Sequence, residues 1–334
     1  MRATHHLIAA LSAAALSVAG LAACSDSGSS GASSGDAGSS GGGDTYIAVV
    51  AKGYASPFWA AVKSGSEDAA KDLGISITFN GPDTETDTPR QNDQLNQALV
   101  KRPAALVFAA LDSTAQASVL QQFKDANIPV VAFDSGVPGS DIPVTTVATD
   151  NKAAAAKGAE ELSGLLGAKG KVAIICHSQT SVTGQDREQG FRDWIAENAP
   201  DVEIVDVQYN NSDQAVAQQQ AAAILQAHPD LNGIFATDDD GAVAAAQAVK
   251  TAGRTDAVKV VGFDSGAPQI ELIKEGVIAG SITQNPYQMG YDAVKTALDV
   301  VNGKAPAEEF MDSGFYWYDA TNLEDPEIQK AVYE

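Results

Sequence analysis

Along the chain, short apolar runs alternate with longer stretches of helical spacing. The runs "YIAVVA" (46–51), "ISITFN" (75–80), "AALVFA" (104–109) and "IPVVAFD" (128–134) read as strands. So do "TTVATD" (145–150), "KVAIIC" (171–176), "VEIVDVQY" (202–209), "GIFATD" (233–238), "VKVVGFD" (258–264) and "AGSITQ" (279–284). Most are apolar at successive positions, as strands covered by helices on both faces of a parallel sheet must be. The intervening segments predict helices over 57–73, 88–101, 113–126, 151–167, 184–199, 213–228, 240–252 and 286–302. Ser56 before Pro57 is a favoured cap and first-turn pair, and Gly253, Gly276 and Gly303 stand where helix C-caps fall. Strand–helix alternation over ten units predicts an α/β fold with parallel sheets, and ten strands exceed one comfortable open sheet. Two doubly wound parallel-sheet lobes follow, with the break near "TTVATDN" (145–151). No Pro-, Gly- or Ser-rich linker marks that break, so the lobes are expected to share hinge strands.

One tetrapeptide gives this pattern a possible site. "FDSG" ends a predicted strand at 133–136 and again at 263–266. Ligands of open parallel sheets bind beyond the carboxyl ends of the strands. Two such edges facing each other would make a cleft, with Asp134 on one side and Asp264 on the other. Taken singly, either copy reads equally as a helix cap or a turn. Their matching positions favour a site.

Charge and the first residues narrow the classes. The 334-residue chain carries a formal net charge of −22. That disfavours nucleic acid, which needs a basic face, and a polybasic membrane patch. Residues 1–23, with Arg2, a short apolar run and small residues, read as a secretory signal. "LAAC" (21–24) resembles a bacterial lipobox, which implies lipid on Cys24 and an exported protein on the outer face of the cell membrane, held there by the lipid alone. Residues 24–43 then form a lipidated Cys and a Ser/Gly linker without large apolar side chains, expected to be flexible. The only other cysteine, Cys176, lies in a strand pattern and reads as a small core residue, so no disulfide framework is expected.

Several segments carry a resemblance. "SPFWAAVKSGSEDAAKDLG" (56–74), "ANIPVVAFDSG" (126–136), "GQDREQGFRDWI" (184–195), "AHPDLNGIFATDD" (227–239), "VKVVGFDSG" (258–266) and "ITQNPYQMG" (282–290) occur in this order. Together they resemble the sugar-binding lipoproteins of bacterial ABC importers, similar to ribose-binding protein and to the effector-binding core of lactose-repressor-type regulators. The resemblance covers 46–312. It implies two lobes joined by three hinge crossings near 149–151, 284–286 and 312–315. The N-terminal lobe would be 44–149 plus 286–312, and the C-terminal lobe 150–285 plus 313–334. It also implies a monomer that takes a sugar or polyol, without cofactor, and hands it to a membrane permease.

The family's ligand residues carry over position by position. Its aromatic pair matches Phe58 and Trp59, its strand-end aspartates match Asp134 and Asp264, and its last-strand glutamine matches Gln284. Its second-lobe asparagine is Asp238 here; one cleft arginine aligns with Gln185, and Arg187 matches a second. Ser56, Ala109, Ser135 and Ser212 stand where the family has Asn, Asn, Arg and Phe. The resemblance therefore implies a pocket unlike ribose's, shorter in cations and richer in neutral or acidic acceptors.

The residue types suit a polyol without the resemblance. Carboxylates accept hydroxyl donors in fixed geometry, amides donate and accept, and a flat ring covers C–H faces. Each also has a bland reading. At most one of Phe58 and Trp59 is expected to be fully buried in the lobe, because neighbours on a helix diverge. Asp238 could simply cap the helix that follows, and Arg187 could pair structurally with an aspartate. Tyr54 and Asp112 are lesser candidates, and the aromatic run 315–318 reads as hinge or core. "GLLGAKGKV" (164–172) has the wrong glycine spacing for a phosphate loop, and no nucleophile elbow or zinc spacing occurs. "DTETDT" (83–88) lacks the calcium-loop pattern and reads as a solvated loop. An extracytoplasmic sensor and a secreted carbohydrate hydrolase are the rival readings.

Overall fold

The computed structural model describes residues 45–333. The expected signal segment, Cys24 and the Ser/Gly linker lie outside the described residues. The first run of elements is β1 (Tyr46–Val50), α1 (Pro57–Leu73), β2 (Ser76–Asn80), α2 (Thr88–Lys101), β3 (Ala105–Phe108), α3 (Ala117–Asp125), β4 (Val130–Phe133) and β5 (Pro143–Ala148). The second is α4 (Asn151–Leu166), β6 (Gly170–Cys176), α5 (Val182–Asn198), β7 (Val202–Tyr209), α6 (Gln214–Ala227), β8 (Gly233–Ala236), α7 (Asp239–Thr251), β9 (Lys259–Phe263), α8 (Ala267–Lys274) and β10 (Ile278–Gln284). The chain closes with α9 (Pro286–Val301), β11 (Phe310–Asp312), β12 (Phe315–Tyr318) and α10 (Ile328–Ala331).

The strands form two six-stranded sheets, ordered β11-β5-β4-β3-β1-β2 and β12-β10-β9-β8-β6-β7. Every pairing is parallel except β10 with β12. Strand order reverses between β1 and β3 and between β6 and β8, which puts a crevice at the carboxyl edge of each sheet. Each sheet is buried on both faces, and the period of two decides which side chain goes where. In β1, Ile47 and Val49 join a core with Trp59, Phe133 and Met289, whereas Ala48 and Val50 join one with Leu95, Leu106 and Phe123. The second sheet has Phe191, Phe235 and Phe263 on one face and Ile224, Val249 and Tyr318 on the other.

The chain passes between the sheets after β5, after β10 and after β11. Side chains tie these passages together. Thr149 Oγ1 donates to Gln284 Oε1 at 3.1 Å and lies 3.5 Å from Ser313 Oγ. Asp312 Oδ1 accepts from the backbone N–H of Asp150 at 3.1 Å and of Gly314 at 2.9 Å. The aromatic run expected as hinge or core is the strand β12, with Tyr318 fully buried. Helix α3 starts later than expected because Asp112 accepts from the N–H groups of Thr114 and Ala115 and folds 112–115 into a turn.

Candidate ligand-binding site

The two "FDSG" copies adopt one local structure. Each aspartate directly follows its strand with a left-handed backbone, φ 54° at Asp134 and 72° at Asp264. That region is uncommon for residues with a Cβ but open to Asp, and it is occupied mainly where surrounding structure enforces it. The enforcement is the same twice. Asp134 N–H donates to Val147 O at 2.9 Å, and Asp264 N–H donates to Ile282 O at 2.7 Å. Both following serines are fully buried: Ser135 Oγ is 3.2 Å from Ser181 Oγ, and Ser265 Oγ is 2.9 Å from Thr283 Oγ1. Serine thus anchors the turn inward while aspartate is thrown into the space beyond the sheet edge. Neither aspartate caps a helix; Gly266 occupies the cap of α8, and β5 is the element after the first copy.

In the first sheet's half, Lys52 follows β1 and is buried. Its Nζ lies 2.9 Å from Asp134 Oδ2 and 3.6 Å from Glu85 Oε2. It also donates across to Thr183 Oγ1 at 3.2 Å. Burial works to lower the pKa of Lys52, but Asp134 and Glu85 outweigh it and hold the ammonium charged, above its ordinary value. Trp59 is buried in the core and donates from Nε1 to Glu85 Oε1 at 2.7 Å. Phe58 is half-buried and stands at 90° to Trp59, ring centroids 4.9 Å apart. The pair thus divides into one core residue and one partly open ring.

In the other half, Arg187 lies buried on α5, its guanidinium 3.6 Å from the Phe263 ring centroid. Nε donates to Asn151 Oδ1 and Nη1 to Thr237 O, each at 2.7 Å, and Nη1 is 3.8 Å from Asp264 Oδ2. Gln284 Nε2 donates to Asp264 Oδ1 at 2.6 Å. Asp238 caps α7 by accepting from Gly241 N–H at 3.1 Å. Burial, then Asp239, Asp240 and Asp264, raise its pKa well above the carboxylate range. Burial, then Asp264 and Asp240, push Asp239 up to about 7. His177 sits between Thr237 Oγ1 at 2.7 Å and Thr183 Oγ1 at 3.0 Å. Burial, followed by Arg187 and Lys52, drives its pKa well below the usual value, so the ring is neutral.

Phe58, Trp59, Asp134, Arg187, Asp238, Asp264 and Gln284 line one cleft between the two sheets' halves. It adjoins a cavity of about 240 Å³ with which it shares Lys52, Glu85, His177 and Ser212. Gln185 is not part of it. Positions two apart on a helix point roughly 200° apart, so turning Arg187 inward turns Gln185 out. It is exposed, and its Nε2 donates to Gln179 O at 2.7 Å. Tyr54 is also exposed, bonded to Lys63, and Asp112 serves its own turn. Sequence reasoning missed Lys52, Glu85, His177, Asp239 and Asp240. Lys52 was findable as the one cation at the carboxyl end of β1. Glu85 belongs to "DTETDT", expected to be solvated, yet its carboxylate turns inward to Trp59 and Lys52. Among the described residues, no cluster of His, Cys, Asp or Glu is arranged to hold a metal, and no helix is long and apolar enough to cross a membrane.

Residues 47–305 match the family model of the periplasmic binding protein domain. The chain belongs to that family. This periplasmic binding protein is 32% identical over 270 residues to the D-ribose/D-allose-binding protein of Pseudomonas aeruginosa, covering 79% of the chain and 84% of the relative. It is 30% identical over 280 residues to the D-allose-binding periplasmic protein of Escherichia coli, covering 80% and 90%. Its fold matches that of a carbohydrate transporter solute binding protein from Agrobacterium radiobacter, solved in complex with D-arabinose. That match has a TM-score of 0.83 at 29% identity and covers 86% of this chain and 99% of that one. A periplasmic binding protein built as two parallel-sheet α/β lobes accounts for the paired sheets and the cleft at their facing edges.

Proposed function

We propose that the chain captures a monosaccharide or sugar alcohol in this cleft and delivers it to the permease of an ABC importer. The observation that carries the reading is the convergence of Asp134 and Asp264, one from each sheet, beside Phe58. A polyol offers hydroxyl donors to both carboxylates and a C–H face to the ring. Lys52, Arg187 and Gln284 hold the carboxylates in place before any ligand arrives, so little ordering is left to be done on binding. The relatives support the class, being named for D-ribose and D-allose, and the structural neighbour was solved with D-arabinose. The two strand-end aspartates suit binding: Asp134 faces the Lys52 ammonium, and Asp264 lies beside Arg187 and Gln284.

The lobes of this reading are 44–149 plus 286–312 and 150–285 plus 313–334, closing on the ligand by hinge motion at the three passages. Lipid on Cys24 would hold a monomer at the outer face of the cell membrane, within reach of the permease. The test is thermal melting of the full-length protein in mild detergent with D-ribose, D-allose, D-arabinose, xylitol and related pentoses, hexoses and C4–C6 polyols. A ligand at about 1,000 times its dissociation constant adds roughly 4 kcal/mol, several degrees of melting temperature. Asp264→Ala strands ligand donors and should weaken that binding by about 2 kcal/mol. Silence across the panel sinks the carbohydrate reading, and full affinity in the alanine variant removes Asp264 from the site.

A further inference from the structure

The segment after β12 returns to residues that line the cleft. Leu323 and Ile328 are buried in the core shared by α7 and β10, and Ala331 is buried beyond them. Two bonds then fasten its end to residues flanking the site. Thr283 Oγ1 donates to Ala331 O at 3.1 Å, and Tyr333 N–H donates to Ser265 Oγ at 3.3 Å. Thr283 precedes Gln284, and Ser265 follows Asp264. Tyr333 is thereby buried, and its ring meets that of Phe58 edge to face, centroids 5.8 Å apart at 71°. Phe58 belongs to α1, so the contact runs from the second sheet's half to the first.

The hydroxyl is the anomaly. Buried tyrosines ordinarily place their O–H on a partner. Among the described residues, none hydrogen-bonds the Tyr333 hydroxyl. Tyr318 shows the ordinary outcome in the same neighbourhood: its hydroxyl donates to the backbone carbonyl of Asp264 at 2.8 Å. Burial, then Asp264 and Asp239, keep the Tyr333 phenol protonated well above its usual pKa, so it remains a donor. Its approach to Asp264 falls short of hydrogen-bond geometry.

We infer that Tyr333 is a ligand-contacting residue, its phenol brought by the segment after β12 against two residues that line the cleft, Phe58 and Asp264. A ligand hydroxyl there donates to the Asp264 carboxylate and accepts from the Tyr333 O–H. That donor–acceptor pair selects a neutral polyhydroxylated ligand and supplies the bond that the phenol lacks. The inference rests on the carbohydrate reading and adds a residue to it.

Tyr333→Phe separates this role from packing, because it keeps the ring against Phe58 and removes only the hydroxyl. The variant and the parent, both full-length, are compared by calorimetric titration with the sugar or polyol that stabilises the parent best, and by melting without sugar. Affinity should fall about fivefold, the worth of one net hydrogen bond. The sugar-free melting temperature should hold or rise, since an unsatisfied buried hydroxyl is gone. Equal affinity in parent and variant overturns the inference and leaves the carbohydrate reading intact. Weaker affinity with a lower sugar-free melting temperature also overturns it, because the hydroxyl would then be holding the segment in place. No binding by the parent defeats both.

Discussion

Lys52 shows how one side chain decides the character of a cleft. Its ammonium faces Asp134 and Glu85 from its own half and two hydroxyls, Ser181 and Thr183, from the other. Removing one partner of a buried ion pair costs more than the pair contributes, because the remaining charge is stranded. Lys52→Met keeps the stem and leaves Asp134 buried beside Glu85. We expect it to lose about 3 kcal/mol of stability, read by urea denaturation; a loss near zero would show that Asp134 rehydrates. Single residues were legible where position gave them meaning. Asp134, Asp264 and Gln284 end strands, and strand ends in a parallel sheet face ligands. Lys52 was legible on the same ground, as the cation beyond β1, whereas Glu85 lies between Asp83 and Asp87 in an acidic loop with no period to single it out. Tyr333 follows the last helix by two residues, and only folding brings it to Phe58. Gln185 failed for the opposite reason: an alignment of types ignored that it and Arg187 occupy opposed faces of α5.

At the scale of elements, the helix pair α1–α9 packs backbone against backbone. A Cβ on Gly290 would overlap the Val62 carbonyl, and one on Gly65 would overlap the Tyr287 carbonyl. Gly290→Ala should therefore cost about 1–3 kcal/mol by overpacking. Gly164, exposed in α4 with nothing near its missing Cβ, is the control. There the same change should gain up to about 1 kcal/mol from helix propensity alone. Thermal denaturation of the two variants checks the sign of each. Most of the ten expected strands were legible because burial on both faces makes them apolar at successive positions. β11 and β12 were not, for they are sheet-edge strands of three and four residues whose side chains, Tyr318 apart, are exposed or half-buried. Helix α8 escaped because its eight residues give only two turns of period between "FDSG" and Gly276.

Across the whole molecule, the acidic groups set a pH dependence. Burial, then Asp264 and Asp240, raise Asp239, and burial, then Glu85 and Asp264, raise Asp240. Asp239, at about 7, holds a proton in the folded chain that the unfolded chain releases near its ordinary 3.8. Between those values the folded state binds more protons, so stability falls as pH rises. Melting temperature should decline from about pH 4 to 7, and Asp239→Asn should flatten that decline; an unchanged slope would assign it to other groups. The fold as a whole also has an order in time. The first sheet's core needs Met289, Ala293 and Val294 of α9, yet the whole second run of elements separates them from β5. A ribosome crosses that gap in on the order of ten seconds. Until then α1 alone covers one face of the nascent sheet, and the first half's core is incomplete. The first half therefore closes only after the second run of elements has been made. The delay is written into the sequence of its elements, not into any weakness of their residues.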